Sequence, residues 1–375
     1  MRIINIQIAG YRSIRDVSSP LERVTVLVGP NGVGKSNLYR SLQLLQQAAG
    51  FQLARAIAEE GGIESVFWAG THKLQTPNTL TIRIEWETCQ YEAQLGITKP
   101  TDFTHFPRDP YVRTETIATR SNERWIKLIE RAGPQLRFRE RDGNWATYPK
   151  MLACYESLLV QIREPERFPE VLEVRDEFAA WRFFHTFRTD PDSPLRKPQV
   201  VFRTPWLDGD GGNLAATLMS IQEGRYANQL QQVVARAFPD SALAIQNAGA
   251  SLREVGLRFP GLNRVLTGFE LSDGTLRFLC LAAALLSSEP PPLIVLNEPE
   301  SSLHASTYPA LAELISLAAE HSQVLVVTHS PEFAAAIALL CPTRVRALLW
   351  NAKFGTRMDH QLPVEQATKL PTEEG

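Results

Sequence analysis

The sequence predicts an α/β protein: a mixed sheet flanked by helices, with an inserted, mainly helical α+β subdomain. Three observations lead to this prediction. A short β-branched run, residues 23–28, passes through a glycine-rich loop into an amphipathic helical pattern. A second block, residues 260–345, alternates apolar strands with helices, which is typical of a parallel sheet covered on both faces. Between them the pattern changes to hairpins, helices and proline-rich loops.

The length of 375 residues allows two or three domains, or one domain with a large insertion. We expect a discontinuous core made of residues 1–100 and 260–350. Residues 101–259 form the predicted insertion, a lid or arm, because prolines cluster near its start. Residues 351–375 are predicted to be a C-terminal hairpin and a frayed tail.

Composition narrows the class of protein. Apolar residues make up 44% and charged residues 21%, as in ordinary globular proteins, and the net charge of −2 gives no global signal for binding polyanions. The four cysteines lie far apart without a C-x-x-C pair, which predicts reduced thiols rather than zinc or disulfides. The longest apolar runs are shorter than the ~20 residues of a membrane helix, and no apolar leader is apparent. We therefore expect a soluble, cytoplasmic protein without a membrane partner.

The first block begins with a strand that alternates at Ile4, Ile6 and Ile8. A helical pattern over residues 37–60 follows the glycine-rich loop, and residues 61–70 are interpreted as a loop around a short apolar plug. Two alternating runs, 79–86 and 91–97, predict a hairpin.

Within the insertion, Asp142-Gly143 lies between two alternating runs and predicts another hairpin. Residues 150–187 are predicted to be helical, with a break near Pro165 and Pro169. Residues 188–212 are predicted to be mostly loop with a short strand. The stretches NLAATLMSIQ and RYANQLQQVVARAF predict two further helices.

The insertion also carries an excess of cations. Residues 108–141 hold nine Lys or Arg against five Asp or Glu, and residues 182–203 hold five against two. Aromatic residues are interleaved with them: Trp125, Phe138, Trp181 and Phe184. A basic, aromatic surface can bind a nucleic-acid backbone. We favour the alternative, a solvated face with the aromatics in the core, because the excess is small.

The second block opens with Ser272, Asp273 and Gly274 before an apolar helix, and Ser272 or Asp273 suits its N-cap. A buried strand over residues 293–296 leads to Asn297 and Glu298. The sequence then predicts a helix near 307–320, a strand over 323–330, a helix from Pro331 and a terminal hairpin within 344–362.

The motif GPNGVGKS at residues 29–36 points to phosphate binding. Glycines let the backbone curl so that its N–H groups face phosphate oxygens, and the next helix directs its positive end at the same anion. Lys35 adds a charge for the outer phosphates, and the Ser36 hydroxyl can ligate Mg²⁺. The predicted phosphate-binding residues are Gly29, Pro30, Asn31, Gly32, Val33, Gly34, Lys35, Ser36 and Asn37.

Four segments in this order, LVGPNGVGKSN, LSDGTLRFL, LIVLNEPESSLH and VVTHS, resemble the ABC-type ATPases of the SMC/RecF-like branch, often called AAA family or predicted ATPases. The opening GYRSI is also typical of that branch. The resemblance covers roughly residues 1–100 and 260–345, and the insertion is similar only in position. It implies a P-loop NTPase head that binds ATP and Mg²⁺ and acts as an ATP-dependent dimer.

The resemblance also implies roles for single residues. Ser272, with the neighbouring Asp273 and Gly274, would bind the γ-phosphate held by Lys35 of a second copy. Glu298 resembles the catalytic base that orients the attacking water, with Glu300 as the weaker candidate. His329 resembles the switch histidine that contacts the γ-phosphate.

The sequence departs from the family pattern at several points. Asn297 stands where many relatives carry the aspartate associated with Mg²⁺, so the expected metal residues are Ser36 and Asn297. A neutral amide there should forfeit about 1–2 kcal/mol of metal stabilisation. No glutamine loop is evident, and Gln75 is only a candidate; the role of His304 stays open. Coiled-coil arms are not recognisable, and we expect no room for an appended nuclease domain.

Three functions fit these observations. The favoured one is Mg²⁺-dependent ATP hydrolysis coupled to head dimerisation, acting on DNA or a partner protein through the insertion, in DNA maintenance or defence. The second is an ATP-gated sensor or clamp with negligible turnover, suggested by Asn297. The third is a transport ATPase subunit, which the unrecognisable glutamine loop and the SDGT sequence disfavour.

Overall fold

A computed structural model describes residues 1–70, 78–97 and 105–359. The elements of the first half are β1 (Ile3–Tyr11), β2 (Ile14–Pro20), β3 (Val24–Val28), α1 (Lys35–Ala49), α2 (Leu53–Glu59), α3 (Ile63–Val66), β4 (Leu80–Trp86), β5 (Cys89–Ile97), β6 (Pro110–Ser121), β7 (Arg124–Ala132), β8 (Gln135–Arg139), β9 (Trp145–Thr147), α4 (Leu158–Gln161) and α5 (Pro169–Ala180).

The second half contains β10 (Arg182–Phe184), β11 (Gln199–Val200), α6 (Leu214–Gln222), α7 (Ala227–Ala237), β12 (Ala242–Gly249), β13 (Leu252–Arg258), β14 (Leu266–Thr267), α8 (Asp273–Leu285), β15 (Leu293–Asn297), α9 (Tyr308–Ala318), β16 (Gln323–Thr328), α10 (Pro331–Leu340), β17 (Val345–Asn351) and β18 (Gly355–Asp359). The chain divides into two compact units, which are described separately.

Unit 1 contains Met1–Glu22, Gly29–Trp181 and the described chain end from Ala347. Its strands follow the order β18-β2-β1-β4-β5-β6-β7-β8-β9, and the pairings among them are antiparallel. One face of this sheet is buried: the inward residues of β4 alternate strictly with half-buried ones. Phe178 of α5 packs on this face, with ring centroids 5.5 Å from Trp86 and 5.2 Å from Tyr91.

Unit 2 contains Arg23–Val28 and Arg182–Arg346. Its parallel strands follow the order β10-β15-β16-β3. Every residue of β3, β15 and β16 is buried, which is typical of a parallel sheet covered by helices on both faces. A smaller antiparallel sheet contains β11, β13, β12 and β14. The most buried helix is α8, in which all residues from Thr275 to Leu285 are buried.

Most of the predicted elements are confirmed: the hairpins β4–β5, β8–β9 and β17–β18, the helices α6, α7, α9 and α10, and the strands β15 and β16. The prediction of one helical pattern over residues 37–60 was wrong. The chain leaves the helix after Ala49, because Phe51 takes a left-handed conformation (φ 60°), and α2 begins at Leu53. Residues 61–70 contain the expected buried plug, but Ile63 and Val66 of that plug lie on a short helix.

The inserted segment is α+β as predicted, but it is not mainly helical, because its described residues contain more strand than helix. The long strands β6 and β7 escaped prediction because two inward positions carry charges rather than apolar side chains: Glu115 is 1% and Arg131 0% exposed. Their ion pair, at 2.8 Å, interrupts the alternation of apolar residues that identifies a strand. The predicted helix over 150–187 is two helices, broken between Gln161 and Pro169, and ends before β10.

The interpretation of the aromatics as core residues is confirmed for three of the four. Phe138, Trp181 and Phe184 are buried, whereas Trp125 is half-buried and lies under the guanidinium of Arg120. Gln75 and the predicted frayed tail after residue 360 lie outside the described residues. Within the described ranges, no helix is both long and apolar enough to cross a membrane.

Candidate functional site

The glycine-rich loop follows β3 and ends where α1 begins at Lys35. Gly34 adopts φ 95°, a left-handed conformation that favours glycine. Gly29 is required for a different reason, because a Cβ there would lie 2.6 Å from the carbonyl oxygen of Leu348. The N-cap of α1 is this same Gly34, which has no side chain to cap the helix, so the first N–H groups of α1 can bind an anion.

The ammonium group of Lys35 is buried within this loop; the residue is 4% exposed. Its Nζ donates to the carbonyl oxygens of Gly29 (2.7 Å) and Pro30 (3.0 Å) and to Asn31 Oδ1 (3.3 Å). The loop thus presents a preorganised cation among its own acceptors. The remaining predicted residues differ in exposure: Val33 is buried, Gly34 and Asn37 are half-buried, and Pro30, Asn31, Gly32 and Ser36 are exposed.

A chain of hydroxyl groups supports the loop, and sequence reasoning missed it. Thr356 Oγ1 donates to the carbonyl oxygen of Val33 at 2.7 Å, and Ser13 Oγ lies 2.8 Å from Thr356 Oγ1. Asn37 Nδ2 donates to Ser13 Oγ at 2.7 Å. Because the Thr356 proton is committed to Val33, Ser13 must donate to Thr356 and accept from Asn37. These hydrogen bonds connect Val33 of the loop and Asn37 of α1 to β18 and to the β1–β2 turn.

The residues of unit 2 that were predicted to bind phosphate lie at the start of α8. Ser272 is exposed and is the N-cap: its Oγ accepts from the N–H of Thr275 at 3.2 Å. Asp273 forms an ion pair with Arg196. Gly274 allows a close approach, since a Cβ there would lie 2.7 Å from the carbonyl oxygen of Ser302.

The turn after β15 holds the predicted catalytic carboxylate. Asn297, the last residue of the strand, is 1% exposed. Glu298 adopts φ 50°, an uncommon conformation for a residue other than glycine, and its N–H donates to the carbonyl oxygen of Val327 at 2.7 Å. The side chain of Glu298 is 26% exposed. The turn after β15 thus has an uncommon backbone conformation, and the Glu298 carboxylate in it is partly accessible.

Glu300 and His329 form the best-connected pair of this cluster. Glu300 is 3% exposed and accepts from Thr328 Oγ1 and from the N–H of His329 (3.1 Å). His329 Nδ1 lies 3.1 Å from Glu300 Oε1 and 3.9 Å from Glu298 Oε1. Glu300, the weaker candidate for the base, therefore orients the histidine, whereas Glu298 is the more exposed carboxylate.

Two further residues of this cluster were not predicted: His185 and Arg277. Asn297 Nδ2 lies 2.8 Å from His185 Nδ1. Arg277 of α8 donates through Nη2 to the carbonyl oxygens of His185 (2.9 Å) and Glu298 (3.2 Å). Burial lowers the pKa of the Arg277 guanidinium, and the nearby carboxylate of Glu300 opposes that shift. Arg277 thus links the start of α8 to the turn that carries Glu298.

Comparison with known proteins decides the family. The family model described as "AAA domain, putative AbiEii toxin, Type IV TA system" matches residues 119–335, more than half of the chain, and a second model, "AAA ATPase domain", matches residues 1–141. The chain belongs to the AAA ATPase family. The prediction that the chain is an ATPase of this family is thereby confirmed.

Solved structures show the same fold for this AAA ATPase. It resembles an Smc head bound to the C-winged helix domain of ScpA, with a TM-score of 0.51, 14% identity, and coverage of 99% of this chain and 100% of that one. It also resembles an Smc head domain with an extended coiled coil bound to the C-terminal domain of ScpA derived from Pyrococcus furiosus, with a TM-score of 0.52, 12% identity and 98% coverage of each chain. The predicted ABC-ATPase head, a P-loop NTPase fold, is confirmed.

Curated relatives match only a part of the AAA ATPase. The phosphate import ATP-binding protein PstB 2 of Mycobacterium tuberculosis is 34% identical over 125 residues, which is 33% of this chain and 41% of the relative. The protein of the same name from Mycobacterium bovis matches equally. The chain thus spans about two fifths of the length of these relatives.

The residues of unit 2 fit a magnesium ion. Asn297 Oδ1 and Glu300 Oε2 are buried without a hydrogen-bond partner among the described residues, and both are oxygens. Across the described ranges, no group of three or more His, Cys, Asp or Glu could hold a metal ion. These two oxygens suit Mg²⁺, because this ion keeps several waters and binds through one or two protein oxygens and the substrate phosphates.

The remaining candidate, His304, has a local structural role. It precedes a short 3-10 helix, Ala305–Thr307, and its Nδ1 accepts from the N–H of Ser306 at 3.2 Å. The structure brings Asn297, Glu298, Glu300 and His329 together within unit 2, and it brings the loop residues 29–37 together within unit 1.

Proposed function

We propose that this AAA ATPase hydrolyses MgATP between two copies of the chain, with Glu298 as the general base. The observation that carries the proposal is the Glu298 carboxylate, partly exposed at the end of β15 and beside His329, which Glu300 holds. A carboxylate in this position can orient a water molecule and accept its proton.

The residues then have complementary tasks. The loop N–H groups and Lys35 bind the phosphates, and His329 contacts the γ-phosphate. Glu298 takes a proton from water as the water oxygen bonds to the γ-phosphorus and the bond to the ADP oxygen breaks. Bound Mg²⁺ would neutralise charge on the β- and γ-phosphates, with Ser36 and Asn297 as its residues. Ser272 of the second copy would bind the same γ-phosphate through the exposed start of α8.

The Glu298→Gln variant tests the base and the dimer together. The amide still fits the site but accepts no proton, so we expect phosphate release to fall at least ~100-fold while ATP binding persists. Light scattering should then show an ATP-dependent dimer that decays slowly. Glu320→Gln, an exposed carboxylate of the same unit, is the matched control and should behave as wild type. Undiminished phosphate release by Glu298→Gln would remove this residue as the base.

An ATP-gated sensor is the second candidate, and Asn297 favours it. A neutral amide near the metal loses about 1–2 kcal/mol of charge-assisted stabilisation, so turnover could be slow enough for the bound state to be the signal. Steady-state phosphate release separates the two functions: about one turnover per second indicates a working ATPase, whereas release slower than nucleotide exchange indicates a sensor. A transport role is supported only by the partial PstB match.

We also propose duplex DNA as a partner of the insertion. On the outer face of β8 and β9, Trp145 is 38% exposed, with the guanidinium groups of Arg137 and Arg139 at 5.4 Å and 5.0 Å from its ring centroid. Cations around an exposed indole can contact phosphates and bases. Hydrogen bonds from Lys127 and Arg137 lower the pKa of Glu130 and so favour its ionised form. The negative charge of this carboxylate partly offsets the positive charge of the arginines.

The test is ATPase activity with and without duplex DNA over a salt series. Stimulation that fades with salt and is lost in Arg139→Ala supports the contact. Arg55→Ala, which removes an exposed arginine of α2, is the control. Activity indifferent to DNA at low salt would leave a partner protein as the target, as in the ScpA complexes of the two Smc heads. A cytoplasmic location is part of the proposal, and the four free cysteines support it.

A further inference from the structure

The register of the parallel sheet in unit 2 places His185 beside Asn297. Strand β10 pairs with β15 so that Phe184, the last residue of β10, is opposite Leu296. The residues that follow these two, His185 and Asn297, are in side-chain contact. His185 is exposed, whereas Asn297 is almost fully buried. A surface histidine therefore covers a buried carboxamide at the carboxyl end of the sheet, the end at which α/β proteins bind ligands.

The contact between the two side chains has a direction. Asn297 Nδ2 lies 2.8 Å from His185 Nδ1, and an amide nitrogen can only donate. The same ring nitrogen lies farther, at 3.4 Å, from the backbone carbonyl oxygen of Asn297. The shorter contact to the carboxamide assigns His185 Nδ1 as the acceptor, which is the tautomer with its proton on Nε2. The carboxamide oxygen is left on the opposite side, buried and without a hydrogen-bond partner among the described residues.

A carboxamide is nearly symmetric in shape, so packing alone does not decide which end faces the site. Hydrogen-bond partners make that choice. The two ends are opposite in electrostatics, because the oxygen attracts a divalent cation and the N–H₂ group repels it. An aspartate would need no such selection, since both of its oxygens can face the metal.

We propose that His185 is a positioning residue that turns the Asn297 carboxamide oxygen toward the magnesium ion of the bound nucleotide. This inference rests on the proposed function, in which Asn297 is a metal-associated residue. His185 makes an asparagine usable at a position where an aspartate would need no partner. Its main chain is held in place as well, since its carbonyl oxygen accepts from Arg277 Nη2 at 2.9 Å.

A matched pair of variants isolates the hydrogen bond. His185→Leu fills a similar volume without an acceptor, whereas the side-chain oxygen of His185→Gln can accept from Asn297 Nδ2. Each is measured as a fluorescent ATP analogue binds, first in EDTA and then as Mg²⁺ or Mn²⁺ is added. We expect His185→Leu to raise the metal concentration needed for half-saturation about 10-fold and His185→Gln to raise it less. Binding in EDTA should be unchanged in both. His185→Ala replaces the leucine variant if that variant does not fold.

The decisive comparison uses Asn297→Asp. Because both carboxylate oxygens are equivalent, removing His185 in this background should change the metal dependence less than about 2-fold. If removing His185 causes an equal loss in the wild-type and Asn297→Asp backgrounds, His185 only supports the fold, and the inference is overturned. No loss from His185→Leu, while Asn297→Ala weakens metal binding, would overturn it as well.

Failure of the proposed function gives a different pattern. If Asn297→Ala and Asn297→Asp both leave the metal dependence unchanged, while Lys35→Ala abolishes nucleotide binding, then Asn297 is not a metal residue. In that case the assignment of the metal site is wrong, and the inference about His185 fails with it. Thermal melting of each variant in EDTA confirms that folded protein is compared throughout.

Discussion

The glycine-rich loop of unit 1 and the turn after β15 in unit 2 both bury polar atoms, but they differ in how those atoms are satisfied. In the loop, the buried ammonium of Lys35 donates to oxygens of Gly29, Pro30 and Asn31, and a hydroxyl group donates to the Val33 carbonyl oxygen. In the turn, Asn297 Oδ1 and Glu300 Oε2 are buried and have no hydrogen-bond partner among the described residues.

This difference bears on whether a substitution should change stability or activity. A buried polar atom without a partner costs about 1–3 kcal/mol, so two such oxygens destabilise the turn unless a cation or water meets them. The Lys35 ammonium carries no comparable cost, because it already has hydrogen-bond acceptors. When a nucleotide binds, its phosphate oxygens only have to replace carbonyl oxygens around this ammonium. We infer that cutting a saturated network lowers stability, whereas changing the unsaturated oxygens lowers activity. The loop residues are expected to affect activity as well, because the nucleotide binds where they lie.

The largest expected effect is on stability and comes from the saturated network of the insertion. Glu115 accepts from Arg131 Nη1 (2.8 Å), Tyr91 Oη (2.7 Å), Ser157 Oγ (2.5 Å) and the N–H of Leu158 (2.8 Å). Arg131→Met leaves this carboxylate buried without its counter-charge, so the free energy of unfolding should fall by about 3–5 kcal/mol in urea titration.

Arg137→Met is the matched control on the neighbouring strand. Its guanidinium is 56% exposed and pairs with Glu130, so its loss should cost only about 0–1 kcal/mol. Equal effects of the two substitutions would contradict the view that saturation of the buried network supports unit 1.

The next largest effect concerns Lys35. In Lys35→Ala the phosphates lose a preorganised cation, and we expect hydrolysis to fall about 10²–10³-fold. The thermal shift that ATP causes should disappear, while the free energy of unfolding falls by no more than about 1–3 kcal/mol. Lys127→Ala, an exposed lysine of the same unit, should leave both properties unchanged. ATP binding retained at wild-type affinity would show that the loop is not the nucleotide site.

Glu300→Gln tests the opposite case, an unsaturated oxygen. The glutamine oxygen can still accept from Thr328 and from the N–H of His329, and its amide nitrogen takes the place of the unpartnered Oε2. We expect stability within about 1 kcal/mol of wild type. Phosphate release should fall about 10-fold, because His329 loses its carboxylate partner. Glu332→Gln is the control. If Glu300→Gln lost stability but kept its activity per folded molecule, the expected link between unsaturated oxygens and activity would be contradicted.

The parts of the fold predicted correctly are those with local signals. Strand β15 is a continuous apolar run, and Ser272, one of the two expected N-cap residues, is the N-cap of α8. The GPNGVGKS loop lies between a strand and a helix, as its motif predicts. Strands β6 and β7 lack that signal, because Glu115 and Arg131 occupy core positions and find each other only after the strands pair. A periodicity argument cannot identify a core position whose side chain is charged.

The same reasoning explains which site residues were missed. His185 follows a three-residue strand, and its relation to Asn297 depends on a pairing between segments more than one hundred positions apart. Arg277 looks like an ordinary polar position of an apolar helix until α8 is buried. Asn297 was recognised as unusual because the resembling family often carries an aspartate at this position, but its neighbour His185 could be found only from the paired strands β10 and β15.

Thr356 is the most distant of these missed residues and gives the smallest expected effect. Its hydroxyl donates a hydrogen bond to the Val33 carbonyl oxygen, although Thr356 lies more than three hundred positions later in the chain. Thr356→Val keeps the shape and removes the donor, so stability should fall by about 1 kcal/mol and the KM for ATP should rise a few-fold, because the left-handed turn at Gly34 is held less firmly. Thr356→Ser retains the hydroxyl and should restore both values. If the valine variant bound ATP as well as wild type, the glycine curl alone would preorganise the loop, and the hydroxyl chain would contribute only to folding.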